Sequence, residues 1–528
     1  MNFIELVDNP TEYVYTPKDG NKATSQNNMH RSFNKRHIYM LAISTIIGNG
    51  LFISSGASLA KAGPLGSFIA MIISGISVYF VFSCVTEMST FIPIPGSFNS
   101  FADRFVDPSF GFAMGYNYWY KWVISTSNNI LSSGIVISFW VKDAPEFIWG
   151  AIVLITIVYL NTGSSKIFSE AIYSITVIKV IAIYVFIGIS ILEFSGALGG
   201  KSVGLSNLTI DEAPFVNGIE GFCRAFVMSG YMFQGCEIIG VTAGESENPS
   251  RDIPKAAKAI FWQTSMMIIL SFAFICLIVP YNDPGLFNTK DKADSVSPFI
   301  LVLLKANIDS APNIMNAVIL ITTISSGACG LYISSRTLYS LAIEKKVSKL
   351  FTKLSKNKIP IYCIGLNVFI SIILYSFKFI GSNVLYYWFI SFSSVSGYIA
   401  WIGILYSYWR YKRAYRVQGY SEVDLPHVAA LYPFGPAFSF FLLIIIVLAQ
   451  GMRAFTDDEL NTVNILIKSY IGIPIFLFFW LGYKFLYKSK LIPLKYIDLE
   501  TDNYMNLGFG NYRHIKKSNT EIFLDVFF

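Results

Sequence analysis

Charge is scarce in this sequence. Asp, Glu, Lys and Arg make up 14% of 528 residues, against 53% hydrophobic and 16% aromatic. A chain so long and so poor in charge cannot solvate the surface of one water-soluble domain, and it reads as a membrane protein of many spans. Histidine is also rare, and the four present (His30, His37, His427, His514) fall outside the apolar stretches. They form no catalytic group, which leaves an enzyme reading without support. The six cysteines (Cys84, Cys223, Cys236, Cys276, Cys329, Cys363) lie in or beside apolar segments with no CxxC or paired spacing. Neither a disulfide framework nor a zinc site follows, and no cofactor is implied. The first 37 residues lack an apolar core ahead of a small-residue cleavage site, so the N-terminus is expected to begin in the cytosol.

Twelve apolar stretches are long enough to span, at roughly 38–61, 66–92, 111–141, 146–162, 168–193, 219–244, 259–280, 311–334, 361–380, 384–409, 436–452 and 466–487. They predict an all-α polytopic fold with tails at 1–37 and 488–528. The net charge of +7 is carried mostly by loops. Arg251, Lys255 and Lys258 follow span six, Lys345 to Lys358 follow span eight, and Arg410, Lys412, Arg413 and Arg416 follow span ten. The intervening loops hold Asp143 and Glu146, Asp211 and Glu212, and Asp457, Asp458 and Glu459. This asymmetry marks topology rather than nucleic-acid binding, and it puts both termini in the cytosol. Asn207 begins a glycosylation tripeptide in an outer loop.

Two spans are interrupted. Span six contains Ser229, Gly230, Phe233, Gln234 and Gly235, with Glu237 a few residues on, and span one contains Ile47, Gly48, Asn49 and Gly50. Glycines flanking polar groups are poor helix formers. Freed backbone groups at membrane depth are tolerated only where they are buried in protein or line a cavity. If spans one to five (38–193) and six to ten (219–409) are inverted repeats, with 436–487 as two additional helices, the interruptions fall at matching positions. Such a pair points to a binding site at the bilayer midplane. The positive half-helix end near Gly50 suits a carboxylate, and the carbonyl ends near Ile47 and Gly230 to Phe233 suit an ammonium. Together they describe a free α-amino acid.

The stretches IIGNGLF (46–52), TEMSTFIP (86–93), SEAIYSITVIKVIAI (169–183), FQGCEIIGVTAGESENPSRDIPKA (233–256), GLYISSRTLYSLA (330–342) and VSGYIAWIGI (395–404) resemble fungal amino-acid permeases of the amino acid-polyamine-organocation superfamily. The resemblance implies a five-plus-five inverted-repeat fold, proton-coupled amino-acid uptake and a plasma-membrane address. The chain departs from the family's pattern at Ser44, Thr45, Asn49, Ala328 and Cys329.

Of the intramembrane ionisable residues, Lys179 in span five and Glu237 are the candidates for proton coupling, each with a structural tether as its alternative. The resemblance supports Lys179, since prokaryotic relatives use a lysine at the comparable place in lieu of sodium. Relatives that take basic amino acids have glutamate where Asn129 stands, so a neutral substrate is favoured and an acidic one is the alternative. Lys121 reads as an ammonium at the inner rim held by tyrosines, or else as the partner of an acidic substrate or of a counter-carboxylate. Glu87 reads as a structural or gating contact to Arg336 or the basic loops, and Phe233 as the aromatic cap. The expected partners are an amino acid, a proton, the lipid bilayer and trafficking proteins on the tails. A sensor that signals through its tails and a carrier of polyamines or related amines are the rival readings.

Overall fold

The structure is a computed structural model that describes residues 35–94, 98–141, 145–198, 204–242, 249–286, 297–308, 310–422, 425–452 and 462–507. The N-tail up to residue 34, the acidic residues Asp143 and Asp457 to Glu459, residues 243–248 and the tail beyond 507 lie outside it. Among the described residues every regular element is helical. In chain order these are α1 (Lys35–Ile46), a π-turn (Gly50–Ser54), α2 (Ser55–Phe91), α3 (Phe98–Phe105), α4 (Pro108–Ile137), α5 (Glu146–Thr162), α6 (Ser165–Phe194), α7 (Gly218–Phe233), α8 (Ile238–Thr242), α9 (Pro249–Ile278), α10 (Pro298–Lys305), α11 (Ala311–Ile343), α12 (Ile361–Ser376), α13 (Ser382–Val417), α14 (Phe434–Ala449), α15 (Thr462–Tyr470) and α16 (Gly472–Tyr487). Short 3-10 turns join some of them.

Five segments are long and apolar enough to cross a membrane: Arg36–Phe91, Ser165–Phe194, Pro249–Ile278, Ala311–Ile343 and Val384–Val417. Shorter apolar helices run over Phe147–Thr162, Ile361–Ser376, Phe434–Ala449 and Gly472–Tyr487. The first segment has 56 residues. As one rod it would measure roughly 80 Å, well over twice the ~30 Å of hydrocarbon. It is divided at Gly63, whose φ of 73° and ψ of 174° break the helix. There Leu65 and Gly66 donate their N–H groups to the Pro214 carbonyl, and Val216 donates to Ala62. The approach to α7 therefore satisfies the ends left bare at the kink.

The distribution of side chains is inverted relative to a soluble protein. On α6, Ile178, Ile181, Tyr184, Val185 and Leu192 are exposed while Thr176, Lys179 and Ser190 are buried. An apolar exterior over a polar seam fits lipid outside and a functional interior. α4 is the interior column, packing against α3, α5, α11, α12, α13 and α16. Asn207 faces inward, its Nδ2 donating to the Leu277 carbonyl at 2.7 Å.

Candidate functional site

The first break begins where α1 stops at Ile46. The last carbonyls of a helix lose their intrahelical partners and need others. Lys179 of α6 supplies them, its Nζ lying 3.2 Å from the Ser44 carbonyl, 3.2 Å from the Ile47 carbonyl and 3.1 Å from Ser44 Oγ. Ser326 of α11 also donates to the Ser44 carbonyl at 3.3 Å. Asn49 Nδ2 reaches Ser132 Oγ of α4 at 2.9 Å. The chain resumes at Gly50 as a π-turn, a distortion common at functional sites.

The second break starts later than the sequence suggests. α7 stays regular through Ser229, Gly230 and Phe233, then Gln234 is extended and Gly235 has φ +106°. Gly230 does not open the helix. It makes room for Tyr398, whose hydroxyl donates to the Phe226 carbonyl at 2.6 Å. Gln234 Nε2 ties the break to the Ser393 and Ser394 carbonyls of α13, 3.2 Å from each.

The two breaks interlock. A Cβ on Gly50 would sit 2.8 Å from Met232 Cα, and one on Gly235 would sit 2.7 Å from Thr45 Cγ2. Each break thus rests on the final turn before the other. The aromatic residue between them and α4 is Tyr231, whose hydroxyl receives Asn128 Nδ2 at 3.2 Å. Phe233, expected to cap the site, instead packs its ring into the notch left by Gly75 on α2. Two positions along a helix turn a side chain by ~200°, enough to move it from one neighbour to another.

Glu237 follows the second break and is fully buried. Its Oε1 receives Lys121 Nζ at 2.9 Å. Its Oε2 receives Trp401 Nε1 at 3.2 Å and the Gly235 N–H at 3.1 Å. Lys121 also lies 4.5 Å from the Trp122 ring and 5.3 Å from the Tyr118 ring. The inner-rim reading of Lys121 is corrected: it is 1% exposed and its partner is the counter-carboxylate. Depth explains why, since a lysine more than two turns from either end of a span cannot readily reach water.

Asn129 lies between α4 and α11, its Nδ2 on the Ser125 carbonyl at 2.8 Å and its Cβ near Gly327. Asn128, one residue earlier, is the amide turned toward the breaks. Asn49 Oδ1 and Asn128 Oδ1 are buried without a donor among the described residues. Two such acceptors beside broken helices can receive an ammonium or amide N–H. Glu87 pairs with Lys412 at 2.8 Å and accepts from Tyr408 Oη and the Ala429 N–H, each at 2.7 Å. Its partner thus comes from the basic stretch after span ten. Arg336 lies over the Tyr332 ring.

An apolar helical bundle with two interrupted helices facing one another has the architecture of membrane transporters. Among solved structures the fold is similar to a manganese transporter from Eremococcus coleocola, with a TM-score of 0.52 at 12% identity, covering 86% of this chain and 94% of that one. At that identity the likeness is one of fold alone. The chain belongs to the amino acid permease family, whose sequence profile matches residues 37–493. It is 39% identical to the lysine-specific permease LysP of Escherichia coli (strain K12), over 88% of this chain and 95% of that one. It is 38% identical to the histidine permease HisP of Lactococcus lactis subsp. cremoris (strain MG1363), over 90% and 99%. The dicarboxylic amino acid permease of Saccharomyces cerevisiae is 32% identical, over 90% and 80%. The family resemblance holds, while the narrower fungal assignment does not follow, since these two bacterial permeases are more similar to the chain than the yeast one.

Proposed function

We propose that this protein moves a neutral α-amino acid into the cytosol together with a proton, by alternating access. The observation that carries this reading is the interlock of the two breaks, with Gly50 on Met232 and Gly235 on Thr45. Backbone N–H groups at the half-helix end near Gly50 bind the substrate carboxylate. Asn49, Asn128 and the carbonyl end of α7 near Gly230 to Phe233 receive its ammonium, and Tyr231 closes over it. Gln234 and Gly235 hold the shape of the second break, and Asn129 sets the packing of α4 on α11.

Neutral side chains are favoured because, Lys179 apart, the charges near the site are internally compensated. Lys121 and Glu237 cancel one another, and Asn49, Asn128, Ser132 and Tyr231 carry no formal charge. Relatives named for lysine, histidine or dicarboxylic amino acids would need a charged partner for the substrate side chain. Lys179 carries the coupled proton, because its acceptors are all neutral and lie on the first break. Glu237 is the second ionisable candidate.

Twelve crossings in two five-helix inverted repeats plus two helices, with both termini cytosolic in a plasma membrane, complete the reading. The Lys- and Arg-rich loops after spans six, eight and ten support that orientation. The test is uptake by the purified protein in liposomes under an imposed pH gradient, across a panel of labelled neutral, acidic and basic amino acids and putrescine. Gradient-driven accumulation of neutral amino acids is expected. Accumulation of none of the panel would reject transport, and selective uptake of putrescine would reject the amino-acid site.

A further inference from the structure

Lys121 has no part in the cycle above, yet it is among the most deeply buried cations in the chain. It stands on α4, 116 positions before Glu237 in sequence, and meets that carboxylate at 2.9 Å with both side chains shielded from water. The other donors to Glu237 are Trp401 Nε1 from α13, the Gly235 N–H and the Cys236 thiol at 3.6 Å. The remaining titratable neighbours are Tyr118 on α4 and Cys236 itself, and both are neutral in their ordinary forms. On the other side of Lys121 are the faces of Trp122 and Tyr118, which attract a cation but accept no proton from it.

We propose that Lys121 is a resident counter-cation that keeps Glu237 a carboxylate throughout the cycle, making Glu237 a fixed positioning residue for the second break instead of a proton carrier. The inference rests on the transporter reading and assigns its two ionisable candidates different roles. A proton taken up by Glu237 would leave the Lys121 ammonium buried and unpaired, and would weaken the charge-assisted bond that holds the Gly235 N–H. Lys179 pays no such penalty. Its acceptors are two carbonyls and a hydroxyl, so its ammonium can lose a proton without stranding an opposite charge. The pair also joins three helices at one point: α4 through Lys121, α13 through Trp401 and the end of α7 through Gly235. That arrangement fixes the break from two sides as neighbouring helices move.

The experiment compares the native protein with Lys121→Met, Glu237→Gln and the double variant, full length, in liposomes for uptake and in detergent for melting. Each single variant should lose about tenfold or more in uptake and melt at lower temperature, as stranding one partner of a buried pair does. The double variant should regain most of both, with the native dependence of uptake on the pH gradient. Losses that add in the double variant would overturn the proposal. So would a double variant that transports but has lost its dependence on the gradient, because Glu237 would then be the carrier. If the native protein itself accumulates nothing, transport is what fails. The melting cycle then decides the pair alone, recovery supporting it and additive losses overturning it.

Discussion

Gly50 lies directly on Met232, so close that a Cβ would come 2.8 Å from the Met232 Cα and 3.0 Å from the Tyr231 carbonyl oxygen. The contact is backbone to backbone, between the start of the second half of span one and the last turn of the first half of span six. Gly235 makes the reciprocal approach to Thr45. The freed polar groups of two such breaks need partners from the surrounding protein, and Lys179, Ser326 and Gln234 supply hydrogen bonds there.

Gly50→Ala should therefore be severe. The atom in its way is main chain and cannot rotate aside, so overpacking of about 1–3 kcal/mol or more is expected. Gly48→Ala meets Ser326 Oγ at 2.9 Å, a hydroxyl that can turn away. Uptake and melting temperature of the two variants should differ clearly, with Gly50→Ala the worse in both. Equal effects would mean that the interlock is not the constraint.

Tyr231 places its hydroxyl on Asn128. Tyr231→Phe removes that partner but keeps the ring, at a cost of about 1 kcal/mol, or roughly fivefold in substrate KM. Tyr231→Ala removes the cover as well and should reduce uptake much further. Phe233→Leu, altering a ring packed on Gly75 of α2, should affect melting more than KM. A larger KM change at Phe233 than at Tyr231 would restore Phe233 as the cap.

Lys179→Met should flatten the dependence of uptake on the imposed pH gradient, while exchange of labelled for unlabelled substrate persists. Liposome uptake at several external pH values, with and without a gradient, measures this. A Lys179→Met protein that still accumulates substrate against a gradient in proportion to the proton force would remove this lysine from coupling.

His427 lies in the connection after α13. Burial first, and then nearby Lys258, push its imidazole down from the ordinary 6.5 to about 4. The folded protein thus keeps it neutral, whereas the unfolded chain protonates it below about pH 6.5. Its contribution to stability is complete above that pH and is lost as pH falls toward 4, reaching about 1–2 kcal/mol near pH 5. Melting in detergent should therefore fall between pH 7.5 and 5 more steeply for the native protein than for His427→Gln. Parallel curves would show that His427 is not what responds.

The two breaks of the candidate site were legible because they depend on local chemistry. Glycines around Asn49 and Gln234 marked both interruptions, and the rarity of lysine and glutamate inside apolar stretches marked Lys179 and Glu237. The exact start of the second break was not legible. Gly230 and Gly235 are alike as residues, but one admits the Tyr398 side chain while the other adopts φ +106°. Ser44 was noted as a departure from the family pattern, though its role as a hydroxyl acceptor for Lys179 depends on where α6 lies.

The sequence alone determined a helical membrane protein with two interrupted spans and loops of unequal charge, since hydropathy, helix propensity and loop charge act over a few residues. Tertiary structure decided the pairings. Lys121 could have faced the rim, a substrate or a carboxylate, and Phe233 was the expected cover, whereas its ring packs on Gly75 and Tyr231 is the residue that reaches Asn128. A helix rotates a side chain by about 100° per residue, so the partner of each depends on the phase in which α4, α7 and α13 pack. No pattern within a single span carries that phase; it is set when the buried faces of all the helices are satisfied together.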